Sequence, residues 1–147
     1  MKLSTKGRDA MRAMLDLAKH YGDGLVLLKD VAKREAISER YLEHLFLTLK
    51  AAGLVNSVRG AKGGFTLSRP PSEIKLMEIM LICEGQMSLV ECVTDSEMCA
   101  RVPRCATRDV WTELKNALEG VLGSMTLEDL VKRQSAKEQS GVAMYNI

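Results

Sequence analysis

The sequence predicts a mainly α-helical chain with a small two-stranded β-ribbon placed after its third helix. Apolar residues recur at helical spacing through most of the chain, and two short β-type runs, 54–58 and 65–68, flank the glycine-rich segment 59–64. A third observation sets the chain apart from an ordinary helical protein. Cys92, Cys99 and Cys105 fall within fourteen residues, with no apolar periodicity between them.

Residues 8–20 place Ala10, Met11, Met14, Leu15, Leu17 and Ala18 on one broad face, and Gly22 and Gly24 stop this first helix. Residues 28–36 give a short second helix with Leu28, Val31 and Ala32 inward. Ser38 is a natural N-cap for a third helix, whose stripe is Tyr41, Leu42, Leu45, Phe46 and Leu49; Gly53 stands at its C-terminal cap. Two short helices meeting across a tight turn form a helix–turn–helix, whose second member can lie in the DNA major groove. The ribbon follows at once, so the expected unit is a winged helix–turn–helix. Its glycines let the backbone approach phosphate, and Arg59 and Lys62 supply charge at its tip.

Pro70 and Pro71 end the second strand. Residues 75–84 form the next helix, with Leu76, Ile79, Met80 and Cys83 on one face, so Cys83 reads as a core residue. The cysteine loop occupies 85–105. The longest helix comes next, striped by Val110, Trp111, Leu114, Leu118, Val121, Leu122 and Met125. A small winged-helix domain cannot cover that stripe alone, so this long C-terminal helix is expected to pair with its mate in a two-fold homodimer. Thr126, Leu127, Glu128 and Asp129 open a last short helix, and the polar tail from 134 is expected to be disordered. The expected organisation is a DNA-binding unit over 1–69, the cysteine loop and dimerisation helices over 70–133, and a tail over 134–147.

A hydrophobic share of 46% is enough to build one real core in a 147-residue chain. No run approaches the roughly eighteen apolar residues of a membrane span, and the N-terminus is polar. These features point to a cytoplasmic protein away from membranes, where thiols stay reduced. The net charge of +2 hides an asymmetry: residues 1–69 hold 13 Lys and Arg against 7 Asp and Glu, and residues 70–147 hold 8 against 12. A basic front half fits a polyanionic partner for that half alone, here double-stranded DNA. No nucleophile–base pair, phosphate loop or metal-hydrolase motif is visible, so no enzyme is expected.

Three thiols on one irregular loop are suited to a soft metal centre, since thiolates select zinc, copper(I) or iron–sulfur clusters over hard ions. Zinc prefers four closed ligands, and no histidine stands near the loop. A zinc-stabilised repressor, or a direct thiol-redox repressor without metal, is the alternative.

Residues 1–8, the run Ser38-Glu39-Arg40-Tyr41-Leu42-Glu43-His44-Leu45-Phe46, the run from Gly53 to Phe65, and the cysteine triplet followed by Trp111 and Thr126-Leu127-Glu128-Asp129-Leu130 resemble the IscR/NsrR-type family of bacterial winged-helix iron–sulfur transcription regulators, IscR-like members above all. The resemblance covers residues 1 to about 133. It implies a homodimer on a palindromic operator, whose binding is modulated by a 2Fe–2S or 4Fe–4S cluster on Cys92, Cys99 and Cys105. It also implies that Ser38, Arg40, Tyr41 and Glu43 face base edges and phosphates, with Arg59 and Gly60 in the wing contact. One position departs from the family. Its IscR members carry a ligating histidine in Cys-x-Thr-His, where this chain has Cys105-Ala106-Thr107-Arg108, and an arginine stays protonated and cannot ligate. In NsrR-like members a carboxylate from the partner's first helix completes the site. Arg8 aligns with it here, beside Asp9, so Asp9 is a candidate fourth ligand together with Asp95, Glu97, Asp109 or a small exogenous donor.

Overall fold

A computed structural model describes residues 2–145, with side chains through Gly141. Six helices and one two-stranded sheet make a winged helix: α1 (Thr5–Lys19), α2 (Leu28–Glu35), α3 (Glu39–Ala51), β1 (Val55–Val58), β2 (Gly64–Leu67), α4 (Leu76–Glu84), α5 (Ala106–Ser124) and α6 (Leu127–Tyr145). The strands pair antiparallel, Val55 opposite Leu67 and Val58 opposite Gly64, and Val26 adds a single bridge to Phe65. No described helix is long and apolar enough to cross a membrane.

Local chemistry sets the helix ends. Ser4 caps α1 by accepting from the Gly7 N–H at 3.0 Å, so the helix begins at Thr5, three residues before the expected start. Ser38 caps α3 by accepting from Tyr41 N–H at 3.2 Å, as its sequence position predicts. Between them, α2 ends in Ala36 at φ 54°, a left-handed residue that turns the chain sharply into α3. Gly53 follows α3 at φ 83°.

One core unites both sides of Pro70. Met14, Leu17, Val31, Leu42, Phe46, Leu49, Leu54, Ile74, Ile79 and Leu127 are all at most 2% exposed and belong to a single cluster. Phe46 meets Phe65 at 4.7 Å between ring centroids, which seats the wing on α3. The start of α6 is laced to the start of α4: Leu76 N–H donates to Met125 O (2.9 Å) and Leu127 N–H to Ile74 O (3.0 Å). Residue 70 is therefore not a break in packing.

Two expectations are corrected here. The last helix is not short, and 134–145 is not disordered: α6 runs on to Tyr145. Thr126 and Asp129 form a reciprocal cap at its start (2.9 and 3.2 Å). Beyond 133 the residues are polar yet good helix formers. Gln134 reaches Glu138 at 3.1 Å, and Lys19 of α1 pairs with the same carboxylate at 2.9 Å. Low hydrophobicity does not prevent the helix here: its start is seated in the core through Leu127, Leu130 and Val131, and local pairs with one tether to α1 lie further along. Residues 146 and 147 of the expected tail lie outside the described residues.

Candidate nucleic-acid interface and thiol loop

The outer face of α3 is set by what its inner face buries. Leu42, Leu45, Phe46 and Leu49 point into the core, which leaves Arg40, Glu43, His44 and Leu47 exposed along one line of the helix. Ser38 stands exposed at the N-terminus of α3, and Tyr41 is half-buried against the core. Burial, ahead of any nearby charge, holds the Tyr41 hydroxyl above its ordinary range.

The wing tip is built by close approach. A Cβ on Gly63 would collide with the carbonyl oxygen of Val58, and Gly63 N–H closes the turn on Gly60 O at 2.9 Å. Gly60 sits at φ 109°, open only to glycine at low cost. Arg59, Gly60 and Lys62 are exposed, and among the described residues neither cation has an acidic partner within ion-pair distance. Among the described residues Arg40 too has no acidic partner within ion-pair distance. Helix α3 and the wing thus offer exposed cations on two successive elements, Arg40 on one and Arg59 and Lys62 on the other, an arrangement suited to phosphate contact.

The helix–turn–helix is held in shape by a feature the sequence reading missed. Asp16, on the inward side of α1 and 2% exposed, accepts two 2.8 Å hydrogen bonds from the Arg34 guanidinium of α2. His20 Nδ1–H donates to the Asp16 carbonyl oxygen (2.8 Å). A second link joins the same helices: Arg12 Nε lies 3.2 Å from Glu35 Oε2. An acid inside an apolar stripe was the available signal, because a buried carboxylate demands a cation. Asp9, one heptad earlier on that side, is 6% exposed and lies near the guanidinium groups of Arg8 (3.5 Å) and Arg12 (3.8 Å).

The thiol loop crosses three 3₁₀ turns, at Glu91–Val93, Ser96–Met98 and Val102–Arg104. All four cysteines are free: Cys92 and Cys105 half-buried, Cys99 exposed, and Cys83 half-buried on α4. Burial raises the Cys83 thiol, consistent with an inert packing residue. Cys105 is the N-cap of α5. The Thr107 hydroxyl (3.2 Å), then the Arg108 backbone N–H, hold its thiol below the ordinary range. Arg108 donates from Nε to the carbonyl oxygen of Cys92 at 3.0 Å. The donor set, three free soft thiols, fits an iron–sulfur group in its chemistry. Among the described residues no three Cys, His, Asp or Glu side chains are gathered closely enough to hold a metal ion. The loop must therefore draw in for three thiolates to share one centre. Of the other candidate ligands, Asp95 is engaged in accepting from Glu97 N–H at 3.0 Å.

Helix α5 buries no residue fully; Val110, Leu114 and Val121 are 50%, 43% and 59% exposed. Beside it runs an open groove of about 630 Å³, lined by Leu3, Met11, Met80, Leu114, Leu118 and Leu122 among others.

Comparison with known proteins gives one consistent result. The Rrf2 family, described as an iron-dependent transcriptional regulator, matches residues 3–133. The regulator CymR of Bacillus subtilis is 40% identical over 140 residues, 95% of this chain and 96% of that protein. IscR of Photorhabdus laumondii is 40% identical over 141 residues, 96% of this chain and 85% of the relative. Among solved structures, CymR, described as the global cysteine regulator of B. subtilis, superposes with a TM-score of 0.78 at 41% identity, covering 90% of this chain and 98% of that one. T. potens IscR gives 0.75 at 42% identity, covering 91% and 88%.

Proposed function

The chain belongs to the Rrf2 family of iron-dependent transcriptional regulators and is a DNA-binding regulator; we propose that it acts as a homodimer on a palindromic operator, its affinity modulated by an iron–sulfur cluster on Cys92, Cys99 and Cys105. The observation that carries this reading is the joining, on one chain, of an exposed cationic wing and α3 to three free thiols on the loop that leads into α5.

In this reading Arg40 and Glu43 meet base edges, with Glu43 selecting against sites that offer no cytosine amine. Ser38, Tyr41, Arg59, Gly60 and Lys62 fix register on sugar and phosphate. The exposed stripe of α5 and the adjoining groove form the two-fold interface, which sets the separation of the two recognition helices at one helical turn of DNA, about 34–36 Å. A bound cluster supplies a redox- and supply-sensitive centre. Cys92, Cys99 and Cys105 would hold it, and ordering of their loop would pass to α5, the helix that Cys105 caps. Asp9, already facing two guanidinium groups, is a poor fourth ligand in this conformation. A centre with three thiolates and an exchangeable fourth donor is labile, which suits a sensor.

A second reading rests on the open thiol triad and on the likeness to CymR: a cluster-free regulator in which the thiols respond directly, or are held by zinc. Cys92→Ala separates the two. The cluster reading expects the visible absorption of anaerobically prepared protein to bleach and operator affinity to change by about tenfold or more, about 1.4 kcal/mol. Unchanged colour with unchanged binding removes the cluster from the mechanism.

A further inference from the structure

We propose that Arg108 is a positioning residue that straps the Cys92 segment to the first turn of α5, making Cys92 and Cys105 fixed points and Cys99 the movable thiol between them. From residue 91 to 104 every backbone hydrogen bond is local: Val93 bonds back to Val90, Thr94 and Asp95 to Glu91, Met98 to Asp95, Val102 to Cys99, and Arg104 to Arg101. Among the described residues, the bond from Arg108 Nε to the Cys92 carbonyl oxygen (3.0 Å) is the one hydrogen bond that ties this stretch to another element. Arg108 is the third residue of α5, and Cys105 caps that same helix. One guanidinium thus brings the chain at Cys92 to the turn that carries Cys105.

Exposure follows the same division. Cys92 and Cys105 are half-buried, whereas Cys99 is exposed beside Met98, itself 55% exposed. An arginine stays charged and only donates, so Arg108 can hold a carbonyl without competing for metal. With two thiols placed in advance, closing a three-thiolate site orders only the short span around Cys99, and that lowers the entropic cost of capture. The strap would act as a substitute for order that a metal otherwise imposes.

The metal part of this inference rests on the three-thiol reading above; the strap itself does not. The first test therefore uses reduced, metal-free, full-length protein, timed alkylation with iodoacetamide, and mass spectrometry of each cysteine. In the unsubstituted protein Cys99 is expected to react ahead of Cys92. Arg108→Ala is expected to speed Cys92 alkylation about tenfold, the equivalent of one lost charge-assisted hydrogen bond. Hydrogen exchange over 91–98 should speed with it, while α1 to α4 exchange as before. Arg108→Lys, which keeps one charged donor, should restore part of the protection. Titration with cobalt(II) alone, followed by its thiolate charge-transfer absorption, should then show about tenfold weaker binding in Arg108→Ala and recovery in Arg108→Lys. Wild-type rates of alkylation and exchange in Arg108→Ala overturn the strap. Faster alkylation with unchanged cobalt affinity overturns its role in capture. Failure of the unsubstituted protein itself to bind cobalt overturns that capture role together with the three-thiol reading, while the alkylation rates still judge the strap.

Discussion

Replacing Arg34 by alanine removes the guanidinium fork that meets Asp16 between α1 and α2. The Asp16 side chain is 3% exposed and accepts both of its 2.8 Å charge-assisted bonds from that fork. With the fork gone, the carboxylate is left beside His20 Nδ1 at 3.6 Å and the acid Glu35, in a site almost closed to water. Removing one partner of a buried pair costs about 3–5 kcal/mol. Arg34 is 39% exposed, which screens the lost attraction and places the expected cost near the lower end, about 3 kcal/mol. For a chain of this size that lowers Tm by about 6–12 °C. Asp16→Asn is the informative control. It leaves an amide in the buried site and a guanidinium free to turn to solvent, so its expected cost is about 1–2 kcal/mol. In the double variant the Arg34 substitution should add only about 1 kcal/mol, a coupling of about 2 kcal/mol. Urea unfolding at one protein concentration measures all three, with m unchanged; the concentration is fixed because a dimer's stability depends on it. A smaller loss for Arg34→Ala than for Asp16→Asn, or additivity within about 0.5 kcal/mol, would refute the reasoning.

Glu84 of α4 accepts from both the backbone N–H (3.1 Å) and the hydroxyl of Ser4, and it lies where a Cβ on Gly7 would stand. Glu84→Ala should cost about 1 kcal/mol alone and close to nothing in a Gly7→Ala background, where the carboxylate is already displaced; equal costs in the two backgrounds would contradict this. Burial, then the charge of Asp16, raises the Glu35 carboxyl against the pull of Arg12. The native state there keeps a proton that the unfolded chain releases, so stability falls as pH rises from about 4.3 through the raised value. Glu35→Gln should flatten that part of the pH–stability curve, and an unaltered slope would discount the burial. If the protein pairs through α5 as proposed, the unsubstituted chain should sediment as a dimer and Leu114→Glu, which charges the exposed stripe, as a monomer; a variant that stays dimeric would move the interface elsewhere.

What the sequence made legible was what short-range chemistry dictates. Ser38 and Gly53 bracket α3 because a hydroxyl cap and a left-handed glycine are needed there whatever surrounds them. The wing could be read because Gly60 and Gly63 meet local backbone constraints that few other residues satisfy. The stripe on α5 was visible, and Val110, Leu114 and Val121 remain exposed in the single chain. Contacts between distant segments were not legible. Nothing in the sequence around Asp16 points to Arg34 rather than to a neighbouring lysine, and Glu84 meets Ser4 across eighty residues. The length of α6 was hidden because its far half meets the rest of the fold through a long-range pair, Lys19 of α1 with Glu138. At the thiol loop the residue types announced the chemistry, while Arg108 drew notice only as a ligand lost. Its bond to Cys92 became visible only once the loop was folded.

The most direct test of the central claim is to prepare the protein without air, assay iron and acid-labile sulfide per chain, and measure operator affinity on that sample before and after removing the metal. The account predicts a coloured protein with iron and sulfide in equal amounts, and an affinity or operator preference that shifts about tenfold or more on removal. A colourless, iron-free protein that binds its operator equally well before and after chelation would contradict it.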